Sequence, residues 1–116
     1  MAESLKSYKS PKMIDLNRLL HFCDGDRALA AQVFAMMKPE IDTAVARLDE
    51  LLANQQWEML SNTAHKLKSH CEYLGASSLA ELARQVESQA DAGIGTDLPS
   101  LIHNIKALAT TLPETL

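Results

Sequence analysis

A chain of 116 residues has room for one domain of ordinary size and little more. Its formal net charge is −4, with 15 acidic residues against 11 basic ones and no long block of either sign, so the basic patch of a nucleic-acid binder is missing. Apolar residues at 47% can build a real core, while only 4% aromatic residues and four glycines, set among abundant Ala, Leu, Glu, Lys and Gln, favour an all-α fold over a β-rich one.

The opening residues 1–12 are polar, end near Pro11 and lack the apolar stretch of a secretory signal, so they read as a flexible leader before one domain over 13–116. No apolar run approaches the length of a bilayer span, and the expected location is the cytoplasm. Asp15 is placed to cap a short helix carrying Leu16, Leu19, Leu20 and Phe22 that stops near Asp24-Gly25. Asp26 then caps a longer segment whose apolar stripe runs Leu29, Val33, Met37, Ile41, Val45, Leu48 and Leu52, stepping by three or four. Pro39 falls inside it, which predicts either one kinked helix or two abutting at Lys38-Pro39, with the same face buried throughout.

A third segment runs from about Gln55 to Leu74, anchored by Trp57 and buried through Leu60, Ala64, Leu67, Cys71 and Leu74. Gly75 suits its left-handed C-cap, and Ser78-Leu79-Ala80-Glu81 has the pattern of a capping box opening a fourth helix. That helix is expected to bury Leu79, Leu82, Ala83, Val86 and Ala90 and to end before Gly93. A loop over Gly93–Pro99 precedes a last helix with Leu101, Ile102, Ile105, Leu108, Ala109 and Leu112. Short connections between long amphipathic segments predict an antiparallel up-down-up-down four-helix bundle, with the short first helix capping one end. Cys23 and Cys71 read as small buried hydrophobes rather than a disulfide or redox pair. A metal site from His21, Cys23, His70 and Cys71 fits no usual zinc spacing, and no metal is expected.

Chemistry concentrates in Ala64-His65-Lys66-Leu67-Lys68-Ser69. His65 stands one position past a core residue, about 100° round the helix, and so flanks the buried stripe. Lys68, three positions on, shares its face, and Ser69, four on, leaves space above the ring. Lys66 adds charge but points away. A neutral imidazole is a nucleophile near neutral pH, and a phosphoryl group on it would bring roughly two negative charges that a lysine could offset. Glu87, one past the core residue Val86, is the candidate acceptor to orient the ring, although matching offsets on antiparallel helices point either together or apart. Arg84, one turn before Glu87, could share that surface. Taken alone, a His-Lys spacing on a helix is weak support for catalysis, since such pairs are common.

The run AHKLKSHCEYLGASSLAELARQVE resembles the signature of histidine-containing phosphotransfer (HPt) domains, in which Ala-His-x-Leu-Lys-Gly precedes Leu-Gly, a leucine-bearing helix start and a Leu/Val-Glu pair. Ala64, His65, Leu67, Lys68, Leu74, Gly75, Ala76, Leu79, Leu82, Val86 and Glu87 fall in register, and upstream so do Asp15, Leu19, Asp24-Gly25-Asp26 and Phe34. The resemblance implies that His65 accepts a phosphoryl group, Lys68 stabilises its charge and Glu87 orients the imidazole. It implies a phosphocarrier passing the group between receiver-domain aspartates, not an enzyme with kinase activity, and no Gly-rich nucleotide motif is present. Expected partners are response-regulator receiver domains and a hybrid sensor histidine kinase, with Mg²⁺ on the receiver and no cofactor of the chain's own. A monomer is expected, contacting no nucleic acid and no membrane. Docking is expected to use apolar residues near His65, from the first short helix and from around Met36 and Met37, the two methionines being equally suited to core filling; Lys66, Ser69 and Arg84 are the other candidate docking residues. Ser69 departs from the usual glycine, and His70 and Cys71 from small residues. Two other readings are a non-catalytic helical adaptor and a substrate segment of a chemotaxis-type kinase.

Overall fold

A computed structural model describes residues 14–116, and the leader expected over residues 1–12 lies outside the described residues. Five helices follow one another: α1 (Leu16–Phe22), α2 (Arg27–Ala53), α3 (Trp57–Leu74), α4 (Ser77–Ala92) and α5 (Leu98–Ala109). Helices α2 to α5 form a closed ring, because α2 packs on α3 and α5, α4 packs on α3 and α5, and the backbones of the two diagonal pairs stay farther apart. With such short links, sequential neighbours can only run antiparallel. The fold is therefore the expected up-down-up-down bundle, and α1 lies against α3 and α2. Fully buried Phe34, Ile41, Leu48, Leu60, Leu67, Leu79, Val86 and Ile105 fill the interior from all four sides.

Local chemistry sets the boundaries. The Asp15 carboxylate accepts the Arg18 N–H at 3.3 Å, and that of Asp26 accepts the Leu29 N–H at 3.0 Å, so both expected aspartate caps form. The first four helices end the same way: a residue at positive φ (Asp24, Gln55, Gly75, Gly93) turns the chain so that the next N–H bonds back to a carbonyl five residues earlier. At Gly75 the requirement is double. Its φ is 73°, and a Cβ there would lie 2.6 Å from the Asp15 carbonyl oxygen. The Asp15 N–H donates to the Gly75 carbonyl at 3.0 Å, so the end of α3 is also where α1 begins to dock.

Several expected details are corrected. The α2 stripe is centred differently: Ile41 and Leu48 are fully buried as expected and Val33, Met37, Val45 and Leu52 pack partly buried against the core, but Ala30, Phe34 and Leu51 share the inward row and Leu29 is 42% exposed. Phe34 is the bulkiest apolar side chain of the segment, and its row through Ala30 sets the inward face of the first half. Lys38 also lies in that row, burying its aliphatic stem while its ammonium reaches Asp42 at 2.9 Å and Glu114 at 3.7 Å. Helix α2 runs unbroken through Pro39, which stands on the exposed face, as does Ala35 four residues earlier, whose freed carbonyl water can satisfy. The capping box at Ser78 is absent. Helix α4 starts two residues sooner, with Ala76 as its N-cap and no side-chain cap, because the turn at Gly75 already supplies the geometry. Ala80 is buried while Leu82 is only partly so. Pro99 belongs to the first turn of α5, where its lack of an N–H costs nothing, and Leu112 is buried beyond the last turn.

Candidate functional site

Helices α3 and α4 make the most extensive helix pair of the molecule. Their buried positions include Ala64, Ala80, Ala83 and Ala90, and such small side chains let two helices approach closely. Residues flanking that seam are thereby brought within bonding reach. His65 follows the fully buried Ala64 and Glu87 follows the fully buried Val86, and their offsets turn towards each other. His65 Nδ1 lies 2.8 Å from Glu87 Oε2, and Lys68 Nζ lies 3.1 Å from the other oxygen, Oε1. One carboxylate thus joins the three candidate residues.

The arrangement fixes which ring nitrogen is free. An ionised carboxylate can only accept, so the Nδ1–H must donate to Glu87, which leaves the lone pair on Nε2. The imidazole is 57% exposed, whereas the Lys68 and Glu87 side chains are 22% and 21% exposed. A half-open nucleophile with a sheltered orienting group and a sheltered ammonium beside it can receive a group from a molecule docked on this face.

The other candidate residues scatter. Ser69 lines a shallow groove with Arg18, Phe22, Glu72 and Tyr73. Arg84 shares a neighbouring groove of about 200 Å³ with Arg18 and Lys68, but its guanidinium is engaged by Glu81, with Nε to Oε1 at 3.0 Å and Nη2 to Oε2 at 2.6 Å. That hydrogen bonding pulls the Glu81 carboxyl down to about 2 and raises Arg84 in turn. Lys66 lies on the other side of α3, in a cleft against α2. Met37 packs against the core and Met36 is 72% exposed, and neither lines the grooves beside Lys68 and Ser69.

Sequence reasoning turned the first short helix towards docking without singling out Phe22, and it missed Tyr73 and the pairing of the two rings. Phe22, assigned to the apolar stripe of α1, is 51% exposed, and Tyr73 is 48% exposed; their rings stack at a tilt with centroids 5.0 Å apart. Arg18 braces them by donating from Nε to the Glu72 carbonyl at 3.1 Å, which ties α1 to α3. The signal was available in part, since Tyr73 stands eight residues after His65 and four after Ser69, along one side of α3.

Both cysteines are buried and unpaired, and burial pushes the Cys71 thiol up to about 12. His21 and His103 are exposed. Among the described residues no three His, Cys, Asp or Glu side chains converge in a metal-binding cluster. No described helix is long and apolar enough to cross a membrane.

Compared with known proteins, the chain matches the family model described as the Hpt domain over residues 32–115, a span containing His65, Lys68 and Glu87. No curated protein and no solved structure gives a significant match.

Proposed function

Because the chain belongs to the Hpt domain family, we propose that it carries a phosphoryl group on Nε2 of His65, taking it from a receiver-domain phospho-aspartate and passing it to a second receiver aspartate. Histidine phosphotransfer in phosphorelays is what this family implies, and its members interact with receiver domains. The observation that carries the assignment to His65 is the bond from its Nδ1 to Glu87 at 2.8 Å, which aims the remaining lone pair outward from a half-exposed ring.

In the forward step the Nε2 lone pair attacks phosphorus, the N–P bond forms, the P–O bond to the aspartate breaks and the aspartate leaves as a carboxylate. The proton stays on Nδ1. Positive charge gathering on the ring falls against Glu87, and Lys68 offsets the phosphoryl oxygens. The receiver contributes the acidic pocket and Mg²⁺, and this chain contributes the nucleophile and a docking face. Phe22 and Tyr73 give that face its apolar centre, with Ser69 leaving clearance beside the ring. A hybrid sensor histidine kinase is the upstream source in this reading, the protein acts as a monomer, and it has no kinase activity of its own.

Incubation with a phosphorylated receiver tests the proposal. The wild-type protein takes up acid-labile, base-stable phosphate and His65→Gln takes up none, whereas uptake by neither form would leave a helical adaptor. Uptake only from an ATP-binding kinase domain would make the chain a kinase substrate segment instead.

A further inference from the structure

A second site lies on the opposite flank of α3 from Glu87. Between α2 and α3 there is a cleft of about 290 Å³ lined by residues of both helices, at the small end of the range for ligand pockets. Arg47 comes from α2 and Lys66 and His70 from α3, against a single acidic residue, Glu40. Neither Arg47 nor Lys66 takes part in an ion pair among the described residues. Two unpaired cations thus stand against one carboxylate, Glu40, and leave the cleft net positive, whereas Arg84 at the other groove is neutralised by Glu81.

His70 decides the polarity of the floor. Its Nδ1 is buried with no hydrogen-bond partner. A proton there would be a sealed donor with no acceptor, costing about 1–3 kcal/mol, so the lone pair resides on Nδ1 and the N–H on Nε2. Nε2 is not sealed in this way, so the ring offers the cleft a donor. Asn62 and Thr63 supply further amide and hydroxyl groups, and Met59, 44% exposed, gives one apolar wall. Two cations and several neutral donors outweigh the one carboxylate, Glu40, at the edge of a small partly apolar cleft, and together match a dianion with several oxygens on an apolar stem.

We propose that this cleft binds a small phosphate monoester, its phosphate held by Arg47, Lys66 and His70 and its organic part laid against Met59. The site is separate from the phosphoryl-accepting face and does not depend on it. Lys66 follows His65 in sequence and stands about 100° round the helix from it, so the two sites lie on separate flanks of one helix turn.

Phenyl phosphate is the probe, with benzoate as a singly charged control, followed by ¹H–¹⁵N spectra of the full chain at low salt. The expected result is saturable shifts at Arg47, Asn62, Lys66 and the His70 ring, unchanged in His65→Gln. Arg47→Gln and Lys66→Gln, both exposed positions, each weaken binding about tenfold, as the loss of a charge-assisted hydrogen bond predicts. No saturation at millimolar phenyl phosphate, equal affinity for benzoate, shifts centred on Arg18, Lys68 and Arg84, or no weakening in either variant would each overturn the proposal. Because His65→Gln abolishes phosphoryl uptake but leaves this cleft intact, failure of one reading is separable from failure of the other.

Discussion

At the scale of single residues, the shared carboxylate governs what each partner does. Glu87→Ala removes the acceptor from His65 Nδ1 and lets the ring rotate and change tautomer. Loss of a hydrogen bond to a charged group corresponds to a transfer rate lower by about 10- to 100-fold, measured by quenched-flow transfer from a phosphorylated receiver, with the fold unchanged. Lys68→Ala slows transfer as well, but through the phosphoryl charge, so added salt narrows its difference from wild type more than that of Glu87→Ala. Cys71 gives a test of burial. Its thiol is protonated in both folded and unfolded chains below about pH 9, and between the ordinary value of 9.0 and the folded value of about 12 only the unfolded chain gives up the proton. Stability therefore falls with rising pH across that window, and denaturation midpoints of Cys71→Ala show a shallower decline there than wild type. The sequence exposed this residue-scale chemistry well, since Ala64 and Val86 were recognisable as core and set the offsets of His65 and Glu87. Whether those offsets met depended on how α3 and α4 are rotated about their axes, which no single helix encodes.

At the scale of elements, the turns are the informative parts. Gln55 sits at a φ of 53° where α3 and α4 use glycine. Gln55→Gly relieves that strain at some cost in unfolded-chain entropy, for a net gain of about 0.5–1 kcal/mol in urea titrations. Gly75→Ala acts in the opposite sense: it puts a side chain in the left-handed region and against the Asp15 backbone, and a loss of about 2 kcal/mol or more is expected, with α1 loosened first. The aspartate caps and Gly75 were legible because an N-cap needs a particular side chain and a left-handed C-cap favours having none. The capping box at Ser78 misled because Gly75 turns the chain so sharply that α4 begins before the serine can cap it. The α2 stripe misled because a lysine with a buried stem stands in the inward row, and periodicity scores it as polar.

For the whole molecule, a ring of four helices leaves the two flanks of α3 facing different neighbours, α4 on one side and α2 on the other. Receiver binding should shift amide signals around Phe22, Ser69, Tyr73 and His65 while leaving Arg47 and Asn62 unmoved; a footprint reaching the α2 flank would contradict the docking face drawn above. The bundle itself was plain from composition and spacing. The Phe22–Tyr73 patch was not, because it arises where α1 crosses the end of α3, and two distant stretches of sequence give no hint that they meet. In the resting protein, the Lys68 ammonium is already engaged by Glu87. Under the proposed function, an arriving phosphate competes for a cation that has somewhere else to go, and it is held less tightly than a dedicated, unengaged lysine would hold it. A courier benefits from a loose grip: the load keeps enough escaping tendency to move on to the next aspartate, and the same carboxylate takes the lysine back once the ring is empty.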